Sequence, residues 1–239
     1  MYEAAHARPD GESTAARLAL TAAEYGFDGL VLRNHGDSDH DADLETLRSA
    51  YDLDVVDAVE VRAGDPSRVS GYVGNYRPDR TLVCVHGTSV AVNRYAVEQP
   101  AVDVLAHPMD GGDVNHVLAR AAAENGVRLE FSLARVLRAT GGERVRAVQD
   151  LRKLRELVEA CDAPYVVSAD PSSHLHLRAP RELRAVGEAV GFTGEQIRTG
   201  LAEWGRLAER NRARTSDAFV EPGVWRGEHG ERPDGDGEG

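Results

Sequence analysis

The sequence predicts an α/β fold: a distorted TIM-like (β/α) barrel with about seven parallel strands, followed by a C-terminal helix and an acidic tail. Two observations carry this reading. Seven apolar runs rich in β-branched residues alternate with helical patterns, and such alternation implies a parallel sheet with right-handed crossovers. The runs are also nearly continuous in their apolarity, as strands buried on both faces require. An open doubly wound sheet would usually carry a glycine-rich phosphate loop after an early strand. None is present, so the barrel is preferred, with its eighth strand irregular or missing.

The elements follow in order. Tyr2–Ala7 reads as the first strand. Ser13 is placed to cap a helix whose Leu18, Ala22 and Tyr25 share a face, and Gly26 closes it. After a second run at Gly29–Leu32, Asp41 precedes Leu44, Leu47 and Tyr51 at helical spacing. The third and fourth runs are Val55–Val61 and Thr81–Val85, and a helix containing Asn93-Arg94 follows His86-Gly87. Val102–Ala106 is the fifth. Asp113 then opens a stretch through Val117, Leu118 and Ala121 that stops at Asn125-Gly126. Val127–Leu133 precedes a long helix from about Glu143 to Ala160, striped by Val145, Val148, Leu151, Leu154 and Val158. The last run is Pro164–Ser168, and Pro180 stands at a helix start. Thr193-Gly194-Glu195-Gln196 forms a capping box for a final helix bearing Ile197, Leu201, Trp204 and Leu207. Residues 1–216 are therefore expected to form one barrel domain. Residues 217–239, with seven acids, two arginines and many glycines, are expected to be a disordered tail.

Composition narrows the class. At 41% hydrophobic residues the chain can bury a sizeable core. No apolar run approaches the roughly 20 residues of a membrane span, and the first residues lack the basic and apolar regions of a secretory signal. A cytoplasmic protein is expected. Cys84 and Cys161 show no zinc-site spacing and read as free thiols. Forty acids against 28 basic residues give a formal charge of −12, and only Lys153 among the basic residues is a lysine. Arginine bias alone can follow from genome composition. The acid excess cannot, and it points to a salt-rich cytoplasm, where screening over roughly 3 Å at 1 M relieves carboxylate repulsion. A halophile is expected.

In a parallel barrel the working face lies at the carboxyl ends of the strands. Here those ends carry Arg33-Asn34-His35, His86, His107, Ser132, Ser168 and Asp170, with His6 at the first. Imidazoles joined by Asp10, Glu130 or Asp170 suggest one or two hydrolytic metal ions. Phosphoesterases of the polymerase-and-histidinol-phosphatase barrel type, the competing reading, end their first strand in a His-x-His pair. This chain has Ala5-His6-Ala7, so neither a metal centre nor a catalytic residue is assigned, and the cluster reads as polar groups that cap loops or meet a partner. Arginine is the remaining signal. Arg178 and Arg181 flank Pro180 after the last strand and are expected to project from the carboxyl end, with Arg94 approaching the same rim.

At this point the ordered fragments resemble a known family. His86-Gly87, Asn93-Arg94-Tyr95-Ala96-Val97-Glu98 and Val102-Asp103-Val104-Leu105-Ala106-His107-Pro108 are similar to archaeal ribonuclease P protein component 3, the thirty-kilodalton subunit family. So are Leu129-Glu130-Phe131-Ser132-Leu133, the glycine pair between Arg135 and Arg144, Val166-Val167-Ser168-Ala169 and Leu177-Arg178-Ala179-Pro180-Arg181. The resemblance implies a subunit of the ribonucleoprotein that endonucleolytically removes 5′ leaders from precursor tRNA. It implies that the RNA subunit, with its magnesium, is catalytic. The protein is then expected to hold no cofactor of its own and to pair with component 2 and other ribonuclease P proteins, helping the RNA fold and position the cleavage site. Arg94, Arg178, Arg181, Arg33 and Asn93 become candidate RNA contacts. A charge of −12 does not oppose this, because counterion release contributes little at molar salt. Bidentate arginine–phosphate contacts and avidity within the particle persist.

Overall fold

The computed structural model describes residues 1–215, 219–221 and 224–225. Seven strands form one all-parallel sheet in sequence order: β1 (Tyr2–Ala5), β2 (Gly29–Leu32), β3 (Asp54–Val61), β4 (Leu82–His86), β5 (Val104–Ala106), β6 (Arg128–Ser132) and β7 (Tyr165–Ser168). Between them run α1 (Ala15–Glu24), α2 (Leu44–Tyr51), α3 (Pro66–Tyr76), α4 (Val90–Val97), α5 (His116–Asn125), α6 (Ala134–Arg138) and α7 (Gly141–Cys161). After β7 come a 3₁₀ turn at His174–His176, α8 (Pro180–Val190) and α9 (Gly194–Thr215). No helix among the described residues is long and apolar enough to cross a membrane. The tail expected over 217–239 lies outside the described residues, apart from a short antiparallel pair of Phe219–Glu221 with Val224–Trp225.

Each expected strand is present, with ends shifted by at most two residues. β1 stops at Ala5 because the His6 N–H donates to Pro171 O rather than to a neighbouring strand. Thr14, not Ser13, caps α1 by accepting from the Arg17 N–H. Ser13 is drawn away, its hydroxyl 2.8 Å from His174 Nδ1. Asp43, not Asp41, caps α2, and Asn115, not Asp113, caps α5, since Asp113 pairs with Lys153. The capping box at Thr193 and Gln196 forms in both directions. α3 lies in a stretch for which the sequence pattern gave no helix. Gly71 and Gly74 interrupt it, and it is held by Asp65 at its cap, Pro66 in its first turn and the buried Val69 and Val73.

Among the described residues no eighth strand closes the sheet; α9 takes that place. Its Gly200 lies against Tyr165 and Val167 of β7 and its Gly205 against Tyr2 of β1, each so close that a Cβ would collide. From the same helix Trp204, Leu207 and Ala208 enter the barrel and pack on Ala4, Val31, Val56, Ala58, Leu82, Cys84, Val104 and Val166. The Trp204 indole N–H donates to Val167 O at 2.9 Å. Farther along, Asn211 and Arg212 bond to Asp103 and Asp54, beside the amino ends of β5 and β3. The amino-terminal half of the barrel is thus filled with apolar side chains, and the outer faces of the strands pack on the helix ring.

Candidate functional site

The interior changes character toward the carboxyl ends. Side chains alternate across a strand, and the inward rows run Ala4 to His6, Val31 through Arg33 to His35, Ala58 to Glu60, Cys84 to His86, and Val166 through Ser168 to Asp170. Apolar layers therefore give way to charged ones. Asp10 from the loop after β1, His107 after β5 and Glu130 of β6 complete the layer. His107 adopts φ of +50°, a left-handed conformation that sets its ring back over the mouth.

Arg33 sits in the middle of this layer with no exposed surface. Its guanidinium lies 2.8 Å from Glu130, 2.9 Å from Asp170 and 3.3 Å from Glu60. On its other side it stacks over Trp204 at 5.6 Å, which ties the charged layer to the apolar plug. An isolated charge so buried costs several kcal/mol; three carboxylates offset that cost.

The imidazoles form a continuous row. Ring centres of His6 and His35 are 5.0 Å apart, those of His35 and His86 5.8 Å, and those of His86 and His107 4.7 Å. Burial opposes a charge on His6, yet its ring nitrogens lie 2.7 Å from Asp10 and 3.2 Å from Asp170, and these acids push it up to about 9. Burial also works against His107, but Glu130, Asp170 and Glu60 hold its pKa above the ordinary range. The acids respond in kind. Burial would raise Asp10, Glu60 and Asp170, and their hydrogen-bonded and charged neighbours instead hold all three below the usual carboxylate range. The mouth is a balanced, densely ionised network.

The strand-end cluster expected from sequence is therefore brought together for His35, His86, His107 and Asp170. Ser168 turns to β1, where its hydroxyl donates to Glu3 at 2.8 Å, and Ser132 lines a small cavity with His107, Glu130 and Arg135. Glu60, which lies within 3.8 Å of Arg33 and of all four imidazoles, was not singled out by the sequence reading. Its signal was a lone charge within the otherwise apolar Ala58-Val59-Glu60-Val61.

The candidate RNA-binding residues divide. Arg33 is interior, and Asn93 is fully buried, its amide donating to Pro108 O and Asp113 O. Neither reaches the surface. Arg94 is exposed on α4 and pairs with Glu98 at 2.9 Å. Arg178 donates to the Leu175 and Leu177 carbonyls and lies near Arg138 and His176, whose pKa is lowered by burial and by both arginines. Arg181 does not share that rim. It lines a cleft of about 560 Å³ with Arg184, Arg198, Tyr25 and Met1, beside the starts of β1 and β2. The separation arises because the segment 169–179 carries the chain away from the carboxyl mouth before α8 begins.

Comparison with known proteins adds the family. The family model described as RNase P subunit p30 matches residues 1–216. Ribonuclease P protein component 3 of Haloarcula marismortui is 63% identical over 225 residues, covering 94% of this chain and 96% of that protein. Its namesake in Halobacterium salinarum is 53% identical over 98% of this chain and 100% of that one. Among solved structures, a chain of archaeal ribonuclease P with mature tRNA superposes with a TM-score of 0.79 at 20% identity, covering 97% of this chain and all of that one. The zinc-complexed histidinol phosphate phosphatase of Lactococcus lactis has a TM-score of 0.54 at 11% identity, over 80% of this chain and 94% of that one. Both likenesses concern the fold. Matched by the family model through the whole barrel and by haloarchaeal relatives over nearly its entire length, the chain belongs to the ribonuclease P subunit p30 family.

Proposed function

We propose that this chain is a cytoplasmic protein subunit of ribonuclease P, supporting the RNA subunit in the endonucleolytic removal of 5′ leaders from precursor tRNA. The observation that carries the proposal is the family match over residues 1–216. In this reading the RNA subunit, with its magnesium, performs the cleavage. This chain pairs with component 2 and the other proteins of the particle and holds the RNA in its working shape. The mouth supports the same division of labour: Arg33 stands among Glu60, Glu130 and Asp170, where a free-standing hydrolase would need room for substrate. The experiment is reconstitution of the particle from its RNA and proteins in molar KCl, with and without this chain. Leader cleavage at limiting magnesium should fall when the chain is omitted. Equal cleavage in both would remove the proposal.

RNA contact is assigned to three arginines: the half-buried Arg178 at the carboxyl rim, and the exposed Arg181 in the cleft and Arg94 on α4. Arginine holds phosphate with a planar two-donor fork that lysine lacks. Arg178→Lys and Arg181→Lys should therefore each weaken cleavage at limiting protein by about 1–3 kcal/mol, or roughly 5- to 150-fold. Far-UV spectra should be unchanged. Normal cleavage by both folded variants would move the RNA surface elsewhere.

A further inference from the structure

We propose that the mouth binds one zinc-type transition-metal ion on His35 Nε2, Glu60 Oε1 and His86 Nδ1. The missing His-x-His pair on β1 had spoken against a metal, but these three donors come from the ends of β2, β3 and β4. Their ligand atoms lie within 4.8 Å of one another. Two imidazoles and a carboxylate make a zinc donor set that leaves one tetrahedral position for water.

The orientation of His35 is the strongest argument. Its Nδ1 lies 2.9 Å from the Asp10 carboxylate, which can only accept, so Nδ1 carries the proton. Nε2 faces Glu60 Oε1 at 3.5 Å. Nε2 is buried and has no hydrogen-bond partner. At 3.5 Å the two atoms are too far apart for a good hydrogen bond, but they stand close to the separation of two donors on one zinc ion, roughly 3.3 Å. A carboxylate that fixes one imidazole nitrogen while the other meets a metal is a recurrent arrangement in metalloproteins. Glu60 has no exposed surface, and its second oxygen also lacks a hydrogen-bond partner.

One ion is expected because the mouth's other three-residue group, His6, Asp10 and His35, shares His35 with this one, and Arg33 fills the remaining side. Its guanidinium already neutralises Glu130, Asp170 and Glu60 Oε2, so the side of the mouth away from His35 is occupied by a cation the chain supplies itself. Glu60 then bridges two positive charges, the guanidinium through Oε2 and the ion through Oε1. One adjustment is required. Bonds of about 2.0–2.1 Å in a tetrahedron place donors roughly 3.3 Å apart, whereas His86 Nδ1 donates a hydrogen bond to Glu60 Oε1 at 2.5 Å, so the ion must displace that proton as well as separate the two atoms. His86 is the most exposed of the three and can move outward without disturbing the core.

The test uses the untagged full-length chain, stripped with chelator in molar KCl and titrated with zinc or cobalt. One ion per chain is expected by elemental analysis, and cobalt should give the visible bands of a tetrahedral site. His35→Gln and His86→Gln should each lower affinity at least tenfold, and Asp10→Asn should lower it ten- to a hundredfold. His176→Gln, outside the site, should bind as wild type, and far-UV spectra should confirm that every variant is folded. No retained ion in the folded wild type would overturn the proposal. So would two ions per chain, or binding that survives both histidine changes but is lost in Cys161→Ser, which would place the metal at Cys161 and His116 on the surface.

Discussion

Of the fully buried glutamates Glu3, Glu60 and Glu130, only Glu3 has no cation at hydrogen-bonding distance among the described residues. Its carboxylate accepts from the Ala4 and Ala169 N–H groups and the Ser168 hydroxyl, stitching β1 to β7 across the seam that no strand bridges. Burial outweighs these three donors and pushes its pKa up to about 7 from an ordinary value near 4.5. A carboxyl raised in this way stabilises the fold below its unfolded value, and that contribution is lost as pH rises through 7. At about 1.4 kcal/mol per unit, roughly 3 kcal/mol should disappear between acid and mildly alkaline solution. Glu3→Gln, fixed in the neutral form, should match wild type near pH 5 and exceed it by about that amount above pH 8. Urea unfolding in molar KCl at both values measures the difference; His6 and His107 keep their own slopes in both proteins. Equal pH profiles would show that Glu3 ionises freely. At this scale the sequence was legible in part. Inward and outward alternation, once the strands were placed, puts His6, His35, Glu60 and His86 on one surface. Burial of Arg33 was not visible, because an arginine at a strand end looks the same whether it faces a loop or the barrel axis.

Among the elements, α9 is the one whose role the sequence least revealed. Its capping box and its stripe of Ile197, Leu201, Trp204 and Leu207 were readable, but they describe an ordinary helix lying on a sheet. Its work as a substitute strand depends on Gly200 and Gly205, which let the backbone approach β7 and β1. Small residues within a helix carry no periodic signal. α3 escaped for a related reason, since Gly71 and Gly74 dilute its apolar stripe to Val69 and Val73. The position of Trp204 gives a sharp expectation. Removing a fully buried indole costs about 3–5 kcal/mol, so Trp204→Ala should lower stability by that amount. The guanidinium of Arg33 also loses its aromatic neighbour. Trp204→Phe keeps most of the packing and loses only the bond to Val167 O, at a cost of about 1 kcal/mol. Denaturation of the two variants in high salt separates packing from hydrogen bonding; equal losses would mean that the indole N–H carries the effect.

For the whole molecule, charge decides where the fold is stable. Many of the arginines are committed to acids: Arg212 to Asp54, Arg128 to Glu203, Arg77 and Arg210 to Asp103, and Arg135 to Asp110 and Asp150. These pairs pin α9 and α7 to the barrel, yet the formal charge of −12 remains. Lowering salt from about 1 M to 0.01 M lengthens the screening distance from roughly 3 Å to 30 Å, longer than the barrel radius. Desalting should therefore unfold the chain, seen as loss of far-UV signal below a few tenths molar KCl, with recovery on adding salt back. A spectrum indifferent to salt would mean that the surface acids do not govern stability. The acid excess was plain in the composition. Which acids are interior was not, because Glu3, Glu60 and Glu130 are chemically identical to the carboxylates that face water.

The helix that stands in for the eighth strand is also the last part of the barrel to leave the ribosome. Until Trp204 has emerged, β1 and β7 each present an open edge, and the apolar interior has no plug. Open parallel edges invite pairing with other chains. The interval from β1 to Trp204 spans nearly the whole barrel, so the nascent protein spends most of its synthesis unable to close. Chains stopped before α9, at residue 193, should accumulate as aggregates or bound to chaperones. Full-length chains released in high salt should fold at once. Sedimentation of the two products from the same translation extract compares them directly.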